Sequence, residues 1–410
     1  MNTPSRLTRR ATLCGAALLL PGRARAQTAA LPEVLRIGVL NDASGPFADQ
    51  SGRGSVVAAN LAVEDFQREA PGTKVEILYA DHQNKADIGG QIARAWVDRD
   101  GVVAVADAVN SSVGLAVNDI MRERRRTFVA SNVGTSDLTG RFCSPNTVQW
   151  TFDTWAFGNS AARAMHAQGK DSFFFIGFDY ALGQALERDT TAILQKLGGR
   201  VAGSVKHPLG TTDFSSYLLQ AQASGAKVVA FASTGGDFIN AAKQAAEFGL
   251  TRSQTVLGLF TQIVDVDALG LQAAQGLVVT EAFYWDLNDG TRAFARRYEQ
   301  RMPGRVPTEN HAGVYSSVLA YLRAVRTAGS VDGERVVAAM RGMGTIDDPL
   351  FGPTTIRADG RAVHAMHVFR VKAPAVSQSR WDVYEPLATI PPADAFRPLS
   401  EGGCSLVGKT

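Results

Sequence analysis

Strand-like and helix-like stretches alternate along nearly the whole chain, and the alternation starts over once, near Thr151. In the first series, short β-rich runs at 34–41, 74–81, 102–109 and 127–131 are separated by stretches with helical spacing at 51–70, 87–100 and 112–124. The run 102–109 is almost continuously apolar, as a strand buried on both faces requires. The second series places strands at 172–178, 200–207, 227–233, 255–259 and 276–280. Its helices are expected at 157–168, 181–197, 214–224 and 238–248. Further helical stretches follow at 290–301, 312–328 and 333–341, then β-like runs at 354–357 and 365–371 around Asp359-Gly360, which reads as a hairpin turn. Alternation of this kind specifies a mostly parallel sheet with helices on both faces. The chain is therefore α/β and two-lobed, with a C-terminal stretch shared between the units.

The first residues have the layout of an export signal. Arg6, Arg9 and Arg10 precede an apolar run at 11–20, and Ala24-Arg25-Ala26 forms an A-x-A cleavage pattern. Arg9-Arg10 is similar to a twin-arginine signal, although Thr12 stands where Phe is more usual. Cleavage near Ala26 would remove five arginines and no acids, moving the formal net charge from +3 to −2. The basic balance thus belongs to the leader, and the electrostatic case for a nucleic-acid partner goes with it. Two cysteines remain, Cys143 and Cys404. In an oxidising compartment the pair reads as a disulfide, against the alternative of two separate buried thiols.

Catalytic motifs are missing: there is no P-loop, no H-E-x-x-H, no C-x-x-C and no G-x-S-x-G. Gly52 and Gly54 lack the third glycine of a dinucleotide fingerprint. No enzyme activity, cofactor or metal site is expected. In open α/β sheets ligands sit outside the carboxyl ends of the strands. The loops there are rich in hydroxyls, amides and glycine: Ser44 to Phe47, Asn110-Ser111-Ser112, Ser131-Asn132-Val133-Gly134-Thr135, Asp179-Tyr180, Ser233-Thr234-Gly235-Gly236-Asp237 and Phe260-Thr261-Gln262. Helix starts within them offer amides to an anion. The competing use of each Ser, Thr or Asn is to cap its helix. The candidate ligand set is Asn110, Ser111, Ser131, Asn132, Gly134, Tyr180, Thr234, Gly235, Phe260 and Thr261.

Several segments, in order, carry a family likeness: Arg36-Ile37-Gly38-Val39-Leu40 into Ser44-Gly45-Pro46, Asn110-Ser111-Ser112, Thr135 to Thr139, Asp179 to Gly183, Gly236 to Ala241 and Gly276 to Thr280. The chain resembles the substrate-binding proteins of branched-chain amino-acid type ABC transporters, which have the type I periplasmic-binding fold. The resemblance implies a periplasmic, monomeric clamp that captures a small carboxylate and delivers it to an inner-membrane ABC permease. It implies lobe 1 at 27–148 plus 281–345, lobe 2 at 149–280 plus 346–410, and three hinge crossings. The carboxylate seat maps onto Asn110, Ser111, Asn132 and Gly134. Amino-acid binders of the family also place an acid after a second-lobe strand, and Gly258 to Gln262 contains none. An aromatic acid therefore stands beside a hydrophobic amino acid as the expected ligand. A ligand-sensing module for a sensor kinase or chemoreceptor is the alternative reading, and an exported α/β enzyme the remotest.

Overall fold

The computed structural model describes residues 31–408, together with Met1 and Thr3; the export segment and its cleavage pattern lie outside the described residues. The first sheet contains β1 (Val34–Asn41), β2 (Lys74–Asp81), β3 (Val102–Asp107), β4 (Thr127–Ala130) and β5 (Thr147–Gln149), in the order β2-β1-β3-β4-β5, all parallel. Every residue of β3 is buried, as its unbroken apolar run requires. Helices α1 (Gly52–Glu69), α2 (Ala86–Asp98) and α3 (Ser111–Glu123) connect the strands.

The chain then leaves this lobe through residues 150–153. In the second sheet β6 (Ser172–Phe178), β7 (Arg200–His207), β8 (Val228–Ala232), β9 (Thr255–Gly258) and β10 (Val278–Glu281) run parallel. They alternate with α4 (Thr154–Ala167), α5 (Ala181–Lys196), α6 (Ser215–Ala223), α7 (Gly235–Glu247), α8 (Ile263–Leu269) and the short α9 (Leu271–Ala274). A second crossing, 282–288, returns the chain to the first lobe for α10 (Asp289–Glu299), α11 (Glu309–Ala328) and α12 (Gly333–Gly342). There α11 packs along α1 and carries a Thr308 cap at its start.

A small antiparallel sheet of β11 (Ile346–Asp348), β12 (Gly352–Ile356) and β13 (Ala362–Val363) leads into the third crossing. Two strands close the second sheet, β14 (Met366–Val371) and β15 (Tyr384–Ile390), giving β15-β14-β10-β9-β8-β6-β7. The turn Asp359-Gly360 does join two strands, but its second arm is the two-residue β13, with Ile356 opposite Ala362. The expected partner, 365–371, instead pairs with β10, Val279 opposite Phe369, because the chain has by then crossed into the other lobe.

The hinge is filled by a charged side chain. Arg361 is fully buried and donates to Phe152 O (2.7 Å), Trp150 O (2.5 Å) and Ala362 O (2.8 Å). It thus ties the third crossing to the first, which also meet at the Gln149–Arg361 bridge. At the second crossing two acids are buried. Glu281 accepts from Tyr384 Oη (2.5 Å), and Glu309 Oε2 accepts from Ala282 N (2.8 Å). Burial raises both carboxyls, Glu309 to about 8, and each charge would disfavour the other.

Candidate functional site

The carboxyl ends of the two parallel sheets face each other, and the loops there touch. In lobe 1, β3 ends on a sharp bend: Asp107 and Ala108 have φ of 81° and 60°, a conformation that side chains resist. The bend is held by the buried Asp107 carboxylate, which accepts from Asn41 Nδ2 (3.0 Å) and Asn132 Nδ2 (2.6 Å). It delivers Asn110 to the start of α3. There Asn110 Oδ1 accepts from Ser112 N (2.8 Å) and Val113 N (3.1 Å), while its Nδ2 donates to Asn84 Oδ1 (2.5 Å). Ser111 Oγ accepts from Thr135 N at 3.1 Å, which joins the two lobe 1 loops and leaves the hydroxyl proton free to donate.

Of the lobe 1 candidates, Ser111 and Gly134 border the opposite lobe. A Cβ on Gly134 would lie 3.4 Å from Ser111 Oγ, 2.8 Å from Leu182 Cδ1 and 3.9 Å from Phe260 Cε1, the last two across the gap. The side chains of Asn110, Ser131 and Asn132 are engaged inside lobe 1. Asn110 is a helix cap, Ser131 Oγ meets Ser317 Oγ of α11 at 2.8 Å, and Asn132 Nδ2 also donates to Asn310 O at 3.2 Å.

Lobe 2 contributes Tyr180, Thr234, Gly235 and Phe260 to the same seam, whereas Thr261 packs its Oγ1 against Gly258 of its own lobe. Tyr180 precedes α5, its ring 5.0 Å from that of Phe178, and burial raises its phenol. Phe260 stacks on Phe157 (4.8 Å) and tilts against Phe152 (4.9 Å), an aromatic floor partly supplied by the first crossing. Gly235 has φ +61°, and a Cβ there would come within 2.8 Å of Pro46 O in lobe 1. Both the backbone conformation and the close approach call for glycine.

The residues that sequence reasoning missed are those that bridge the gap. Gln50 Nε2 reaches from lobe 1 to Thr234 Oγ1 (2.8 Å) and to Asp265 Oδ1 and Oδ2 (3.1 and 2.9 Å). Gln262 Nε2 reaches from lobe 2 to Asn310 Oδ1 (2.7 Å). Asp265 is the third residue of α8 and forms a capping box with Gln262. Burial pushes its carboxyl up to about 6, against the opposing pull of bonds from Gln262 N, Gln50, Gly235 N and Thr234. An acid is therefore present near the second-lobe loop that lacks one, three residues beyond it.

Some of the buried polar atoms without a partner among the described residues lie at this seam, Gln50 Oε1, Tyr180 Oη, Ser233 Oγ, Gln262 Oε1 and Asn310 Nδ2, and others lie elsewhere in both lobes. Folded proteins satisfy the great majority of such groups.

Two α/β lobes on a shared hinge, with opposed strand ends lined by amides, hydroxyls and aromatic rings, define a solute-binding clamp. A family model described as a periplasmic binding protein matches residues 34–377, and the chain belongs to that family, whose members bind substrates for ABC transporters outside the cytoplasm. It is 40% identical to a periplasmic binding protein of Burkholderia mallei (TM-score 0.87, 91% of this chain and 99% of that one). It is 39% identical to a branched-chain amino acid ABC transporter periplasmic ligand-binding protein of Burkholderia xenovorans (TM-score 0.83, the same coverage). It is also similar to Leu/Ile/Val-binding protein homolog 6 of Brucella melitensis, 28% identical over 355 residues that cover 82% of this chain and 87% of the relative. Among the described residues no helix is long and apolar enough to cross a membrane.

Proposed function

We propose that this protein captures a small carboxylate with an apolar body between its lobes and delivers it, as a monomer and without chemical change, to an ABC permease of the inner membrane. The observation that carries the reading is the meeting of two opposed sets of strand-end loops, joined across the gap by Gln50 and Gln262 and lined by hydroxyls, amides and aromatic rings. Ser111, at the start of α3, supplies a hydroxyl donor for the anion, the next two helix amides being already spent on the Asn110 cap. Phe260, Leu182 and Tyr180 supply the apolar wall.

Between the two ligand classes, the occupancy of Asp265 favours an acid without an ammonium group. A carboxylate has about four acceptor positions, and Gln262 N, Gln50 Nε2, Gly235 N and Thr234 Oγ1 already address them. A hydrophobic amino acid remains the second reading, supported by the names of the Burkholderia xenovorans and Brucella relatives. Calorimetric titration of the mature protein with benzoate and with leucine separates the classes. Ser111→Ala should weaken whichever acid binds by about tenfold or more, the worth of a hydrogen bond to a charged group. Unchanged affinity removes Ser111 from the seat. Loss of uptake of that acid on deleting the protein tests delivery.

A further inference from the structure

The end of the chain does not stay on the lobe that carries its last strand. β15 belongs to the second sheet, and the short helix α13 (Pro392–Ala395) lies against α4 of the same lobe, where Asn159 Nδ2 donates to Ala395 O (3.3 Å). The next residues move over the hinge. Phe396 covers the buried Arg361 guanidinium, 4.4 Å from ring centre to Cζ. Arg357 Nη1 donates to Arg397 O (2.7 Å), and Arg397 Nη2 donates to Ser136 O (2.8 Å) in lobe 1. Glu401 is paired with Lys196 of α5 at 2.6 Å, back on lobe 2. Cys404 is then bonded to Cys143, in the lobe 1 turn whose Phe142 carbonyl accepts from Asn118 Nδ2 of α3 (3.1 Å).

Beneath this segment the lobes meet directly. Ser136 Oγ from lobe 1 and Thr154 Oγ1 from α4 both donate to Asp189 Oδ2 of α5, each at 2.6 Å. Arg188 links Asp189 (2.9 Å) to Asp137 of lobe 1 (3.3 Å).

We propose that residues 391–404 are a disulfide-closed strap, a further connection between the lobes beyond the three hinge crossings, which limits how far the clamp opens. The ring runs from the second sheet through the tail and the disulfide into the 136–143 turn, and back through β5 and the first crossing. Opening at this edge would require the strap to shed its contacts with Ser136, Arg357 and Lys196 while still covalently held. Rotation is therefore confined to a pivot along the Ser136–Asp189 seam, and the gap opens on the side of Ser111, Gly134 and Gln50. Cutting the bond leaves the tail held to lobe 1 only by non-covalent contacts such as Arg397 to Ser136 O, and alters no residue at the ligand seam.

The strap requires that the lobes open but not that any particular ligand binds, so its test uses ligand-free protein. Small-angle scattering of the full mature chain is measured for the oxidised form, the reduced form, the same sample reoxidised, and the C143S/C404S variant. The expected result is an upward shift in radius of gyration of roughly 1 Å for the reduced and variant forms, from about 21 Å for a compact chain of this length, reversed on reoxidation. Arg397→Met, which keeps the disulfide and loosens the strap, should fall between the two and serves if the cysteine variant does not fold. Superimposable oxidised and reduced profiles overturn the strap, whether both are open or both closed. A failed ligand screen with a redox-dependent profile would count against the proposed ligand class and leave the strap standing.

Discussion

Glu309 gives the most direct check on the electrostatics of the hinge. Its Oε2 accepts from Ala282 N in the second crossing, its Oε1 has no partner among the described residues, and burial pushes its carboxyl from an ordinary value of 4.5 up to about 8. An acid raised on folding stabilises the native state fully below its unfolded value and loses that contribution as pH rises through the folded one. Over pH 6.5–8 the unfolded chain keeps this group ionised while the native protein still holds its proton. Linkage over that interval gives a loss on the order of 1–2 kcal/mol from Glu309. Glu281 is raised for the same reason and acts in the same direction. The buried His82, His311, His364 and His367, pushed down to about 4, are neutral in the native state, but in the unfolded chain they titrate near 6.5 and add a slope of opposite sign at the lower end of this window, which the comparison of wild type with variant cancels. Glu309→Gln keeps an acceptor for Ala282 N and has no proton to lose. Urea denaturation at pH 6.5, 7, 7.5 and 8 should show wild type losing stability relative to the variant as pH rises, with the two slopes differing by about one proton at the lower end. Equal slopes would refute the assignment of a buried, protonated acid at this crossing.

Three further outcomes follow from the seam and the hinge. Gln50→Ala removes bonds that exist only when the lobes meet, leaves the buried Asp265 carboxylate short of a donor, and should weaken ligand binding by about 10- to 100-fold in calorimetry with little change in the ligand-free melting temperature. Gly134→Val would drive a branched side chain into Leu182 Cδ1, where even a Cβ falls at 2.8 Å. Affinity should then drop more than about tenfold while ligand-free stability holds, since the clash belongs to the closed form. Arg361→Met strips the donors from Trp150 O and Phe152 O inside the hinge and should cost about 3 kcal/mol of stability by chemical denaturation; a cost below about 0.5 kcal/mol, the usual size of a surface change, would show that Arg361 does not hold the crossings together.

The lobes were legible because hydrophobic period and strand-end turns are local signals. Strand β2 is found at 74–81 as expected, and β6 and β7 likewise. Elements escaped where they are short or poorly patterned. Strand β5 has three residues and α8 seven, and β15 carries Pro386 on a sheet edge, where proline is tolerated but weakens the pattern. The site divided along the same line. The strand-end rule brought Ser111, Gly134, Tyr180, Thr234, Gly235 and Phe260 to one seam. It could not tell Ser111 from Asn110 or Asn132, whose amides are spent on a helix cap and on Asp107, because a cap and a ligand contact call for the same residue types. Gln50 and Asp265 lie 215 positions apart, and nothing local announces their pairing. The usable sign of Asp265 was its place in the Gln262 capping box.

The same distribution of polar groups explains how such a clamp can stay reversible. Contacts across the seam include amide, hydroxyl and carboxylate groups, beside apolar ones such as Leu182 at Gly134 and Phe47 at Gly235. Water can satisfy Gln50, Gln262, Asn310 and Asp265 when the lobes part, so their mutual bonds add little net free energy to closure. The desolvated Asp265 even opposes it. A seam built from leucine and phenylalanine would instead gain about 25 cal/mol for each Å² buried and would shut without a ligand. The continuous apolar core runs through the crossings at Trp150 and Phe152, where Arg361 and the two glutamates are also buried, rather than through the Gln50–Asp265 contact. A ligand can decide between open and closed forms only through interactions it makes in the closed form alone. On the proposed reading, unpartnered seam atoms such as Ser233 Oγ and Gln262 Oε1 are the candidates for them.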